Sequence, residues 1–161
     1  MGKREFLIVI IAVTIVGAVT LYVTSFLWFF PHLHDKTLNV FSQRLFSTPL
    51  PENTQEIERI NKVGLQSGNS DHCDYLAALL LKTALSKSDI EKYYENNYKG
   101  DSQLHFYWVN ELYVPGIGVV NPTNIFTLDD WVNNKSKISG ANLILFIFEG
   151  AMTSAFDFRC S

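Results

Sequence analysis

The stretch DHCDYLAALLLKT, residues 71–83, sets two carboxylates, an imidazole and a thiol directly before seven apolar side chains. An unbroken apolar run has neither the helical nor the strand period, so YLAALLL suits a strand buried on both faces and a buried helix equally. The next few residues decide between them. Ser88-Asp89-Ile90-Glu91 has the spacing of a capping box, in which the Ser88 hydroxyl accepts from the Glu91 amide while the Glu91 carboxylate reaches back. A helix that starts there ends the preceding element by about Leu85. Residues 73–84 are therefore expected to be a strand and 89–97 (DIEKYYENN) a helix, stopped near Lys99-Gly100.

Working outward, TQEIERINKVGLQSGN (54–69) alternates imperfectly and ends in a Ser-Gly-Asn turn signal, the pattern of a first strand, although EIERI alone also fits a helical turn. QLHFYWVNELYV (103–114) alternates cleanly. Leu104, Phe106, Trp108, Leu112 and Val114 fall on one face, and His105, Tyr107, Val109, Glu111 and Tyr113 on the other. PGIGVVNPTN is a loop, Thr127-Leu128-Asp129-Asp130 has capping spacing for a short helix carrying Trp131, and SKISGAN is a turn. NLILFIFEGAMTSAFDF (142–158) reads as a long last strand with a bulge or bend at Gly150. The order implies an α+β domain, a mostly antiparallel sheet with one or two helices covering one face.

The N-terminus belongs to another solvent. From Phe6 to Phe30 there are 25 residues without a charge, about 37 Å of helix at about 1.5 Å per residue, against a hydrocarbon core of about 30 Å. Val, Ile and Thr are indifferent helix formers in water, but in lipid the backbone must satisfy its own hydrogen bonds. Trp28, Phe29 and Phe30 read as an interfacial aromatic belt and Pro31 as a helix stop. A cleaved secretory signal is the rival reading, since Met-Gly-Lys-Arg precedes the run. Signal cores are about 7–15 residues, however, and no small-x-small cleavage site lies beyond this one.

The expected plan is a basic cytoplasmic N-terminus (1–5), a transmembrane signal anchor (6–30), a juxtamembrane segment (31–52) and an extracytoplasmic α+β domain (53–161). Lys3 and Arg4 lie against the span and outweigh the more distant Lys36 and Arg44, which places the protein in the cell membrane with its C-terminal domain outside. In the juxtamembrane segment Leu38, Val40, Phe41, Leu45 and Phe46 recur at loose helical spacing, to rest on the membrane or on the domain, before Pro49 and Pro51 end the run. Residues 31–161 hold 11 of the 13 basic and 15 of the 16 acidic residues, a net charge of −4. That balance offers nothing to the phosphates of nucleic acid or to anionic headgroups. The expected partners are the bilayer, through residues 6–30, and a protein in or at the membrane.

Chemistry is thinly marked. On a strand Asp71 and Cys73 share one side and His72 and Asp74 the other, so DHCD cannot converge on one metal. A zinc site built on spaced Cys pairs is out of reach with two cysteines 87 positions apart. His32 and His34 lack a third nearby ligand and read as solvated. Cys73 opens the second strand and Cys160 closes the last. If those strands pair antiparallel, the two sulfurs meet and a disulfide is natural, which needs an oxidising compartment; free thiols are the alternative. Asp129 and Asp130 are explained by a helix N-terminus, Glu149 by a rim or edge position, and Asn134-Lys135-Ser136 matches a glycosylation acceptor too short to be specific. No P-loop, GxGxxG, GxSxG or HExxH motif is present.

Residues 47–97, with their Pro-Leu-Pro start, Gly and Asn turn, aspartate-aromatic-Ala-Leu strand, Leu-Ser break and tyrosine-ended helix, resemble a segment of small single-pass membrane proteins of Gram-positive bacteria whose function is uncharacterised. The resemblance implies a membrane-anchored domain and supplies no catalytic residues. The reading that results is a binding or assembly role without catalytic residues, cofactor or metal. Two alternatives stay open. One is a tethered hydrolase or metal-dependent enzyme using His72, Asp74 and His105, should strands 73–84 and 103–114 be neighbours. The other is a small accessory subunit of a membrane complex.

Overall fold

In the computed structural model, which describes residues 2–66, 72–109, 113–114, 118–119, 128, 140–153 and 157–160, one helix runs from Lys3 to Phe46. Its first part, α1 (Lys3–Thr24), has none of its residues buried and is apolar and long enough to cross a membrane. Here the three threonines near its middle and end turn inward on the backbone. Thr14, Thr20 and Thr24 donate to the carbonyls four residues earlier at 2.9, 2.8 and 2.8 Å, which is how a hydroxyl is satisfied where no water is present.

Pro31 does not stop this helix. A π-helical turn, Ser25–Phe29, precedes it, and α2 (Phe30–Phe46) begins with the proline in its first turn. A proline inside a helix lacks one amide donor and presses its ring on the carbonyl four residues back. The wider π turn, closed by Phe30 N–H on Ser25 O, changes the backbone just where those two defects fall, so the helix continues.

The sheet is antiparallel throughout, with strands β1 (Thr54–Gly64), β2 (His72–Thr83), β3 (Leu104–Trp108) and β6 (Leu143–Thr153) in the order β1-β2-β6-β3. Two short strands, β4 (Tyr113–Val114) and β5 (Gly118–Val119), form a separate hairpin. β2 and β6 are central. On one face Tyr75, Ala77, Leu79, Leu81, Leu143, Leu145 and Ile147 pack under Leu38, Phe41 and Leu45 of α2 and under Ile90 and Tyr94 of α3 (Lys87–Asn97). On the other, Leu76, Ala78, Leu80, Ile144 and Phe146 pack with Leu128 and Ala141. Burial on both faces is the physical reason why YLAALLL and LILFIF are continuous rather than alternating.

Several boundaries differ from the sequence reading. The segment 31–52 rests its apolar side on the domain, one of the two places expected for it: α2 puts Leu38, Phe41 and Leu45 into the core, leaving Val40 exposed and Phe46 half-buried. β1 ends at Gly64 rather than near residue 69. β3 ends at Trp108, opposite Leu143 where its partner β6 begins, and beyond it the Val109 amide donates to Asn142 O. Residues 110–112 and the expected short helix from Thr127, Leu128 apart, lie outside the described residues, as do Asp71, Asp129, Asp130, Trp131 and Asn134. Gly150 does mark a bulge, since β2 advances two residues from Cys73 to Tyr75 while β6 advances three between their partners, Met152 and Glu149. Glu149 therefore sits half-buried on a central strand, not on an edge. β6 stops at Thr153, and Phe158–Cys160 form a 3-10 turn.

The α3 cap is Ser86, two residues before the expected Ser88. Its hydroxyl accepts from Asp89 N at 3.3 Å and donates to the Asp89 carboxylate at 2.6 Å. The earlier start sets Leu85 and Ile90 in the positions of a hydrophobic staple, and both join the same apolar cluster. Replacing Ser86 with Ala is expected to lower stability by about 1 kcal/mol, and replacing Ser88 with Ala by less than about 0.5 kcal/mol. Urea unfolding of the two variants distinguishes the caps; a larger loss from Ser88→Ala than from Ser86→Ala would put the helix start at Ser88.

Candidate functional site

The chemically capable side chains collect where the C-terminal turn, the start of β2 and the first turns of α2 meet. Cys73 and Cys160 are joined in a disulfide, Cα atoms 4.7 Å apart, both sulfurs buried. Sequence logic anticipated the bond, but Cys160 does not close the last strand: β6 stops at Thr153, and the 3-10 turn Phe158–Cys160 brings the second sulfur to Cys73 at the start of β2. The loop it closes spans 87 positions, which in the chain-entropy picture contributes about 4 kcal/mol.

His34 stands beside this disulfide, contrary to its expected solvation near the headgroups. It is buried, with Nδ1 2.9 Å from Cys73 Sγ and 3.4 Å from Asp157 Oδ2. His32, on the other side of the helix, is exposed and stacks on Trp28 with ring centres 6.0 Å apart. Asp157 has a fully buried side chain and accepts on both oxygens from Arg159: the main-chain N–H and Nε reach Oδ1 at 3.0 Å each, and Nη2 reaches Oδ2 at 2.7 Å. Burial by itself raises a carboxyl's pKa. Here the side-chain and backbone hydrogen bonds of Arg159, with its charge, outweigh burial and hold Asp157 below its usual range.

Arg159 also donates to Asp35 Oδ1 at 2.6 Å and to Pro31 O at 2.9 Å, both on α2. Hydrogen bonds to Asp157 first, then to Asp35, keep its guanidinium firmly protonated. The main chain at Arg159 is held too, its carbonyl accepting from Leu65 N at 3.0 Å. That approach needs Gly64, which has φ +134° and whose Cβ, were there one, would lie 2.7 Å from the Arg159 carbonyl oxygen.

The three residues proposed for catalysis are not brought together. His72 Nε2 lies 3.1 Å from Asp74 Oδ1, and the buried Asp74 accepts from Gln66 N at 3.0 Å on its other oxygen. His105 is elsewhere. It pairs with Phe146 on β6 whereas His72 pairs with Thr153, seven positions or about 23 Å along the strand at about 3.3 Å per residue. The reason is strand order: β6 lies between β2 and β3, so the two strands that would have to be neighbours are not. His105 stacks on Phe146 with ring centres 5.0 Å apart, an aromatic packing role.

None of the family models, curated proteins or solved structures compared with the chain matches it. Geometry is therefore the guide to function.

Two measurements probe these contacts. Arg159→Ala leaves the Asp157 carboxylate buried without its main donor and detaches Pro31 and Asp35, so a loss of about 3 kcal/mol is expected in chemical unfolding; a loss under about 1 kcal/mol would mean that the clasp contributes little. Burial also holds the His105 imidazole below its usual range. The unfolded chain then binds a proton more readily than the folded one, so stability falls as pH drops below about 6.5. The urea midpoint of His105→Phe, which keeps the ring stacking, should decline less between pH 7 and about pH 5 than that of the parent.

Proposed function

We propose that this chain is a single-pass, signal-anchored protein of the cell membrane, N-terminus inside, whose α+β domain stands outside in a binding or assembly role. The observation that carries the reading is the continuity of the helix from Lys3 to Phe46: its first half is apolar and unburied, and its second half is core of the domain. A domain joined in this way does not swing on a linker. Its surface is held at one height and one rotation relative to the bilayer, which serves docking or assembly with another membrane-bound partner.

Other features support it. Phe158 of the C-terminal turn lies 6.4 Å, ring centre to ring centre, from Phe26 in the π turn, so one edge of the domain sits level with the end of the span. Leu27, Trp28, Phe29, Leu33 and Phe158 are all exposed at that level, a cluster suited to the headgroup region where one side of a ring is wet and the other apolar. A disulfide between Cys73 and Cys160 suits an oxidising compartment outside the cytoplasm.

Single cysteines introduced in the full chain test the orientation. Glu95 is exposed on α3 and Lys3 precedes the span. A membrane-impermeant maleimide on intact cells should label Glu95→Cys and leave Lys3→Cys unlabelled until the cells are permeabilised; the reverse pattern would overturn the topology, and loss of residues 1–30 from the purified protein's mass would overturn the anchor.

A further inference from the structure

We propose that His34, Cys73, Asp157 and Cys160 are a redox-gated zinc site, closed as a disulfide when oxidised and able to hold one divalent metal ion when reduced. One ligand atom from each of the four lies within 4.8 Å of every other, and all four residues are buried. Two thiolates, an imidazole nitrogen and a carboxylate oxygen are the donor types that a four-coordinate zinc site takes. The ligands come from three places: α2, the start of β2 and the C-terminal turn. In that turn Asp157 and Cys160 stand three residues apart, closed by Cys160 N–H on Asp157 O at 3.0 Å, so both side chains are offered to the same side. This is why spacing along the chain excluded zinc while the fold assembles a set for it.

The chemistry balances. A dithiol or phosphine reductant supplies two electrons to the Cys73–Cys160 bond, two protons are taken up, and two thiols result. A metal ion then displaces both protons as the sulfurs bind it as thiolates. His34 gives Nδ1 as a neutral ligand and Asp157 gives one oxygen. Two thiolates and one carboxylate against a divalent ion leave one negative charge, and the Arg159 guanidinium, already 2.7 Å from Asp157 Oδ2, offsets it. Metal–sulfur bonds of about 2.3 Å require the two sulfurs to move apart once the disulfide is reduced.

Cobalt(II) is the probe, titrated into the full chain in detergent after reduction with a phosphine. The expected result is one cobalt per chain with the thiolate charge-transfer and intense visible bands of a tetrahedral site, displaced by zinc and expelled when an oxidant restores the disulfide. His34→Ala and Asp157→Asn should each weaken binding at least about tenfold, the lower end of what loss of even an outer-shell partner costs, and shift the visible bands, while His72→Ala binds as the parent does. Circular dichroism of each reduced sample reports its fold. No cobalt spectrum from a folded, reduced parent would overturn the proposal. So would equal binding by the His34 and Asp157 variants, since two thiols alone would then be the site, or a reduced parent that unfolds and is not restored by zinc.

Discussion

The guanidinium of Arg159 donates to the carboxylates of Asp157 and Asp35 and to the carbonyl of Pro31, while its own carbonyl is fixed by Leu65 N–H. One residue near the chain terminus thereby touches the helix that leaves the membrane-like segment, the end of β1 and the turn that carries Cys160. An arginine suits this place because its planar fork satisfies a carboxylate on two oxygens and still has donors to spend on a second group. The buried Asp157 is tolerable only because of it. That pairing joins a second polar contact between helix and sheet, Asn61 Nδ2 donating to Ser42 Oγ at 3.2 Å.

The apolar contacts themselves are arranged around β2 and β6. Because both faces of this pair are buried, each face requires a cover, and the chain uses α2 and α3 for one. Recruiting α2, a continuation of the apolar N-terminal helix, makes the cover and that apolar segment one continuous helix. The junction where they meet also collects the disulfide, His34 and Asp157.

Much of the sheet was legible in residues 71–97, because an apolar run ahead of a capping signal leaves little room for alternatives. The cap moved from Ser88 to Ser86 because the staple of Leu85 on Ile90 is a packing interaction that the capping pattern alone does not weigh. Pro31 was read as a stop from its intrinsic cost, but a π turn ahead of it absorbs that cost. β3 came out short because strand length depends on a partner that lies some forty residues away in sequence. The candidate site was half legible: the cysteine pair could be argued from strand ends, whereas nothing local marks His34 or Asp157 as its neighbours.

What the amino-acid sequence determined by itself was the distribution of apolar surface: a charge-free N-terminal helix, two strands buried on both faces, and a domain able to close a disulfide across them. These come from composition and period, which are local properties. The tertiary structure alone decided that β6 lies between β2 and β3, which separates His105 from His72 and Asp74, and that α2 folds back on the sheet with His34 inward. Strand order and helix docking are settled by which pairings bury the most apolar area while leaving most buried polar groups a partner, and that competition is between residues far apart in the chain.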